Sequence, residues 1–124
     1  MGAIELAKQF LMAMEKRDLK LAESFMAPQA EIIFPGGVRY SNQQEMVAAS
    51  AGRYRWIKKR IQQTDEVRLL EATSVVYVSG TLYGEKADGL KFENIRFIDR
   101  FEICNHRIVR QDVWNDLAES GITG

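Results

Sequence analysis

The chain has 124 residues, with 17 Lys+Arg against 17 Asp+Glu, 46% hydrophobic and 27% charged residues, and one cysteine. That composition excludes a disordered tail, a disulfide-stapled scaffold and a polycation built for nucleic acid, and the length suits one core-burying domain over 1–124. No leader-like segment, repeat or linker is visible, and no apolar run nears the ~20 residues of a membrane span, so a cytoplasmic protein without membrane partners is expected.

Ala7, Phe10, Leu11 and Met14 recur at helical spacing and predict an amphipathic helix over about 4–16. Asp18 is placed to cap a second helix carrying Leu21, Ala22, Phe25 and Met26, which Pro28 is expected to end. A short strand follows over 30–34, closed by the turn Pro35-Gly36-Gly37. Ser41 with Gln44 resembles a capping box and predicts a third helix over 42–52. Then the pattern changes to alternation, with strands predicted over 58–70, 74–84, 91–104 and 107–115. Helices followed by consecutive antiparallel strands predict an α+β fold, with the helices packed on the concave face of a curled sheet around an apolar cavity.

One residue breaks the alternation. Ile95, Phe97, Phe101 and Ile103 make an apolar strand face, and Asp99 stands in its middle. Period-two geometry points Asp99 inward, where a carboxyl is costly unless it is paired, protonated or set in a polar niche. The register of the last hairpin decides its neighbours. A two-residue turn at Asn105-His106 sets Asp99 opposite Asp112, two like charges on a buried face. A three-residue loop, Cys104-Asn105-His106, sets it opposite Gln111 instead and turns Val109, Gln111, Val113 and Asn115 inward. The second register buries fewer charges and is the one expected.

The order of elements, with Phe10, Asp18-Leu19, 30–35, Phe97-Ile98-Asp99-Arg100-Phe101, Arg107-Ile108-Val109 and Val113-Trp114-Asn115-Asp116, resembles the nuclear-transport-factor-two-like superfamily, in particular its SnoaL-like branch. The resemblance implies a cone-shaped half-barrel (a cystatin-like fold), a deep ligand pocket and dimers through the outer sheet face. The superfamily includes ketosteroid isomerase, scytalone dehydratase, limonene epoxide hydrolase and polyketide cyclases. Ile98-Asp99-Arg100-Phe101 matches the isomerase element in which a protonated Asp binds the substrate oxyanion. However, Phe34 stands where the isomerase has its general base, and Phe10 where it has its oxyanion-binding Tyr. Gly80 and Val113 occupy the hydrolase's carboxylate positions, and the lone His106 lies in a turn, which leaves the dehydratase without its histidines. The resemblance therefore carries the fold and not these mechanisms.

Asp99 is the candidate catalytic acid or hydrogen-bond donor, weighed against a structural carboxyl bonded to Gln111. The candidate ligand-binding residues are Phe10, Phe34, Trp56, Val78, Gly80, Phe97, Gln111, Val113 and Asn115. Gly80 either leaves room for a ligand or marks a bulge, and Asn115 either orients a ligand or caps the last segment. Arg53, Arg55, Lys58, Lys59 and Arg60, interleaved with Tyr54 and Trp56, read as a solvated face more readily than as a nucleic-acid track, or as a pocket rim where an arginine meets an anionic group. Tyr77, Tyr83, Ile98 and Trp114 fall on the convex parity and point to a homodimer through the sheet. The expected activity is binding of a small apolar molecule. If the chain is an enzyme, isomerase, cyclase or lyase chemistry on a carbonyl compound, with no metal or organic cofactor, is expected. The alternatives are a ligand carrier or sensor, or a protein-interaction module.

Overall fold

The structure, a computed structural model, describes residues 1–123. Three helices, α1 (Ala3–Glu15), α2 (Leu19–Ser24) and α3 (Gln43–Ser50), pack on six strands. The strands are β1 (Met26–Phe34), β2 (Val38–Tyr40), β3 (Tyr54–Arg68), β4 (Thr73–Lys86), β5 (Lys91–Cys104) and β6 (Arg107–Asn115). They form one sheet in the order β2-β1-β6-β5-β4-β3, antiparallel except for the β1–β6 pair. This is the α+β curled sheet that the sequence predicts. No helix among the described residues is long and apolar enough to cross a membrane.

Helix α1 buries the stripe Leu6, Ala7, Phe10, Leu11 and Met14, and the Phe10 ring meets Phe101 of β5 edge-on at 5.7 Å. It ends in a tight reversal, in which the Asp18 N–H donates to the Ala13 carbonyl at 2.9 Å across Arg17, whose φ of 59° is left-handed. The Asp18 carboxylate then accepts from the Leu21 N–H at 3.2 Å and caps α2, as expected.

Three local expectations are corrected. Helix α2 stops at Ser24, and Pro28 lies inside β1. β1 pairs with β6 at Met26 and again from Glu31, so Pro28 sits in the irregular stretch between, where no ladder N–H is required of it. The cap of α3 is Asn42, not Ser41, for its side-chain oxygen accepts from the Glu45 N–H at 2.8 Å. β2, absent from the sequence expectation, is a three-residue edge strand reached through a turn in which Gly36 and Gly37 take φ of 82° and 78°.

The register of the last hairpin is neither of the two weighed from sequence. The turn has two residues, with Cys104 opposite Arg107, and both Asn105 and His106 take positive φ, as the mirror-image hairpin turn demands. Val109 is then extra. The partners step from Ile103–Ile108 to Glu102–Arg110, a bulge that shifts all later pairing by one. Asp99 consequently faces Val113, not Gln111, and Phe97 faces Asn115. Asp112 faces Arg100 on the convex side, where Arg110 holds it through two hydrogen bonds of 2.9 and 3.1 Å. The inward parity of Gln111, Val113 and Asn115 is as expected, while Ile108 takes the buried place foreseen for Val109.

Gly80 faces the interior opposite Ile61, next to a second irregularity between Ile61 and Gln63 of β3. A Cβ there would overlap the Arg60 carbonyl oxygen of the β3 backbone, so the glycine marks a bulge and leaves no space for a ligand. Gly80→Ala should lower stability by ~1–3 kcal/mol, because two backbones must move apart to admit one methyl group. Urea unfolding measures this, and a midpoint unchanged from the parent would show that β3 does not close on β4 at this position.

Candidate active site

The sheet curls over α1, and the loops at one end leave a cavity of about 390 Å³. Leu11 and Met14 of α1 form one wall, and Phe34, Val38 and Tyr40 around the glycine turn form another. Met46 of α3, Ile57 of β3, Leu82 of β4 and Leu117 beyond β6 complete the apolar lining. Phe34 and Tyr40 hold each other edge-on at 5.4 Å, which fixes the wall nearest the turn.

Asp99 lies at the closed end and is 1% exposed. Neither of its carboxyl oxygens has a hydrogen-bond partner. Lost hydration therefore governs its acidity, and burial pushes its pKa up to about 6 although the nearby Lys59 ammonium pulls it down. The Gln111 amide lines the same cavity but does not bond Asp99, so the structural pairing weighed from sequence is absent. Val113 and Asn115 line it as well, and the Asn115 side-chain oxygen also accepts from the Leu117 N–H at 3.2 Å. Asn115 thus holds the chain beyond β6 and still borders the cavity.

Of the other sequence candidates, only Phe34 reaches the lining. Phe10, Val78 and Phe97 are packed in the core instead, where inward parity also leads. Gly80 is closed off by β3, as described. Trp56 stands on the convex face with its ring 5.7 Å from Tyr83. It follows a β3 irregularity between Tyr54 and Trp56, which reverses the parity that simple alternation would give.

The basic cluster divides between the two faces. Arg55 pairs with Glu85 at 2.8 Å, Arg60 lies 4.0 Å over the Tyr83 ring, and the Lys58 ammonium lies 5.8 Å from the Trp56 ring. Lys59 points inward, half-buried, with its ammonium 5.3 Å from the Phe97 ring centroid and its backbone N–H donated to Glu15 at 3.3 Å. Arg17 and Arg53 border the cavity where it opens to solvent.

Tyr40 and Tyr54 are lining residues that the sequence expectation omits. Burial raises the pKa of the Tyr54 phenol against the opposing charge of Arg53, which keeps it a hydrogen-bond donor. Its inward alternation with Ile57 and Lys59 was the available signal, obscured by the irregularity at Arg55. Among the described residues, no three His, Cys, Asp or Glu side chains gather as a metal site.

No family model matches the sequence, and neither does any curated protein. Solved structures do match the fold. An NTF2-like (nuclear-transport-factor-two-like) protein of unknown function from Burkholderia pseudomallei superposes with a TM-score of 0.76 at 17% identity, covering 94% of this chain and 92% of that one. TerC, co-crystallised with polyporic acid, gives 0.73 at 14% identity over 95% and 94% of the two chains. A candidate SnoaL-like polyketide cyclase from a Jannaschia species gives 0.71 at 11% identity over 95% and 88%. The chain therefore has the NTF2-like α+β cone fold, the fold its sequence resembles.

Proposed function

We propose that this chain binds a small apolar carbonyl compound in the cavity, with Asp99 as hydrogen-bond donor and acid and with Gln111 and Asn115 as orienting amides. One observation carries the proposal, namely a fully buried carboxyl at the closed end of an apolar cavity with both oxygens unpartnered. A group so placed is costly to the fold and is the kind found where a protein stabilises developing charge. The likeness to TerC and to a candidate polyketide cyclase supports a small-molecule ligand.

The chemistry is proton transfer without a cofactor. A pKa of about 6 lets Asp99 exchange a proton near neutrality, and a ligand that expels the remaining water favours the protonated form further. Protonated Asp99 donates to the carbonyl oxygen as negative charge develops there, while Tyr54 and Tyr40 offer further donors from the wall. Isomerase, cyclase or lyase outcomes all begin with that polarised carbonyl. A carrier or sensor is the second reading, favoured by Phe10 and Phe34 at the two positions where the isomerase has its other catalytic groups.

The sign of the pH dependence follows from the raised pKa. Folded Asp99 holds its proton more tightly than the unfolded chain does, so its contribution to stability is full below the unfolded value of ~3.9. That contribution falls as pH rises to about 6 and is flat above. The difference is on the order of 2–3 kcal/mol. Asp99→Asn cannot ionise, so it should be at least as stable as the parent at pH 7 and should lack this slope. NMR titration of the Asp99 carboxyl carbon should give a midpoint near 6. A midpoint at or below ~3.9 would mean a charged, structurally paired Asp99, and the carrier reading would replace the catalytic one.

A second copy of the chain is the proposed protein partner. Ile98 and Trp114 are 45% and 52% exposed and pair with each other on the convex face, with Tyr77 on the next strand, a larger apolar group than a bare sheet tolerates. Sedimentation should give a dimer at micromolar concentration, and Trp114→Arg should weaken it by placing an unpaired charge in the contact. A monomeric parent protein would refute this.

A further inference from the structure

The cavity opening carries a charge that its apolar lining does not explain. Arg17, Arg53, Lys58 and Lys59 line this cavity, and among the described residues none of them forms an ion pair, whereas Arg39, Arg55, Arg60, Arg68, Arg96, Arg100 and Arg110 do and Arg107 donates to the Ser24 carbonyl. Apart from Asp99, which Lys59 neighbours, Glu15 is the one lining carboxylate, and it is engaged by the Lys59 backbone N–H. In a chain of zero net charge, unpaired cations gathered along one cavity form a local field and not a general excess.

Arg17 adds an independent observation. Its backbone is left-handed, at the position past a helix end where glycine is favoured because any Cβ is strained. Its guanidinium spends one donor on the Met14 carbonyl and leaves the others at the opening. An arginine is thus held at a strained position that a glycine would fill at lower cost. The bond to Met14 serves the helix end, and the remaining guanidinium donors at the cavity can meet an anion.

From this arrangement we infer that the cavity selects an apolar anion, a carbonyl compound carrying an acidic group such as a carboxylate, sulfonate or acidic enol. Its charge meets Arg17 and Arg53 at the opening while its apolar body reaches past Lys59 toward Asp99. The inference rests on the cavity reading above and narrows it from apolar molecules in general to apolar acids. An anionic group is costly at the Asp99 end, which is buried from water among apolar side chains, so the ligand's orientation is fixed with the anion outward.

Two fluorescent probes of similar aromatic bulk separate the possibilities, the anion 8-anilinonaphthalene-1-sulfonate and the neutral N-phenyl-1-naphthylamine. Binding is located by the methyl NMR shifts of Leu82, Val113 and Leu117. At low salt the anion should bind at least tenfold more tightly than the neutral probe, and that advantage should shrink as salt is raised. The combined variant Arg17→Gly, Arg53→Gln, Lys59→Gln should lose at least tenfold in anion affinity and change neutral-probe affinity by less than twofold. Lys20→Gln, a charge loss outside the cavity, should change neither. Arg17→Gly alone should weaken anion binding while raising the melting temperature, a combination that a purely structural role for Arg17 does not produce. Equal affinity for the two probes, or anion affinity unmoved by the cavity variants, would overturn the inference and leave the cavity reading standing. If neither probe shifts those methyl groups, the cavity reading falls and the inference falls with it.

Discussion

The extra residue in β6, Val109, decides which of two aspartates lies inside the cone. A two-residue turn at Asn105-His106 by itself brings Asp99 and Asp112 together across the sheet, two carboxylates at a spacing where like charges destabilise the pair. The bulge moves the partner strand on by one residue, so Asp112 turns to the convex face and Val113 takes the place beside Asp99. Each carboxyl then meets an environment suited to a different task. Asp112 accepts two hydrogen bonds from Arg110 and stands 3.5 Å from Arg100, a structural anion held by cations. Asp99 has no bonded partner and keeps a raised pKa. The separation costs one unpaired residue in the ladder. In return the cavity has an acid whose proton affinity is set by exclusion of water and not by another charge of the same sign.

The packing around the cavity keeps that acid dry. Phe10, Phe97, Phe101 and Val78 are core residues and hold the strand carrying Asp99 in place. The glycine turn after β1 lets the wall of Phe34 and Tyr40 fold over from the opposite side. Close approach of β3 at Gly80 bends the sheet into the curl that encloses the space. Water, and with it charge stabilisation, is therefore plentiful at the opening, where the exposed Arg17 and Arg53 sit, and Lys59 lies deeper. The site has a polarity gradient along its depth, with cations outside, aliphatic and aromatic groups between, and one titratable carboxyl inside.

Much of this was legible in the amino-acid order. β5 and β6 end where alternation and turn residues place them, and the inward direction of Asp99, Gln111, Val113 and Asn115 follows from a period of two. Bulges were not legible. Alternation is a parity rule, and one inserted residue reverses parity without leaving a compositional mark, so the hairpin register was misjudged; Trp56, read as a pocket-rim residue ahead of a strand expected from 58, instead lies within β3. Parity also does not separate a core residue from a cavity-lining one. Phe97 and Asp99 share a face, yet only Asp99 lines the cavity with Leu11 and Tyr54, while the Phe97 ring packs in the core with Lys59 over it. Lys59 was hidden in a run of basic residues, where the eye reads a solvated patch. Only the alternation of β3 separates it from Lys58 and Arg60.

The phenylalanines at positions 10 and 34 bear on the chemistry in a way that the fold alone does not. Two polar groups there would sit near the Asp99 end and offer hydrogen bonds to its carboxyl, lowering its proton affinity and pairing its oxygens. With phenylalanine at both positions, the Asp99 oxygens stay unpartnered beside the Lys59 charge, and Tyr40 and Tyr54 are donors set in the walls. Such a site suits a ligand whose polar features lie at its two ends, a carbonyl inside and an acidic group outside, joined by an apolar body. A steroid-like substrate turned over between a base and two oxyanion donors at one end does not match that distribution. On the reading proposed above, the polarity is spread along the cavity axis, and the chemistry is that of one buried acid acting on a ligand oriented by charge at the opposite end.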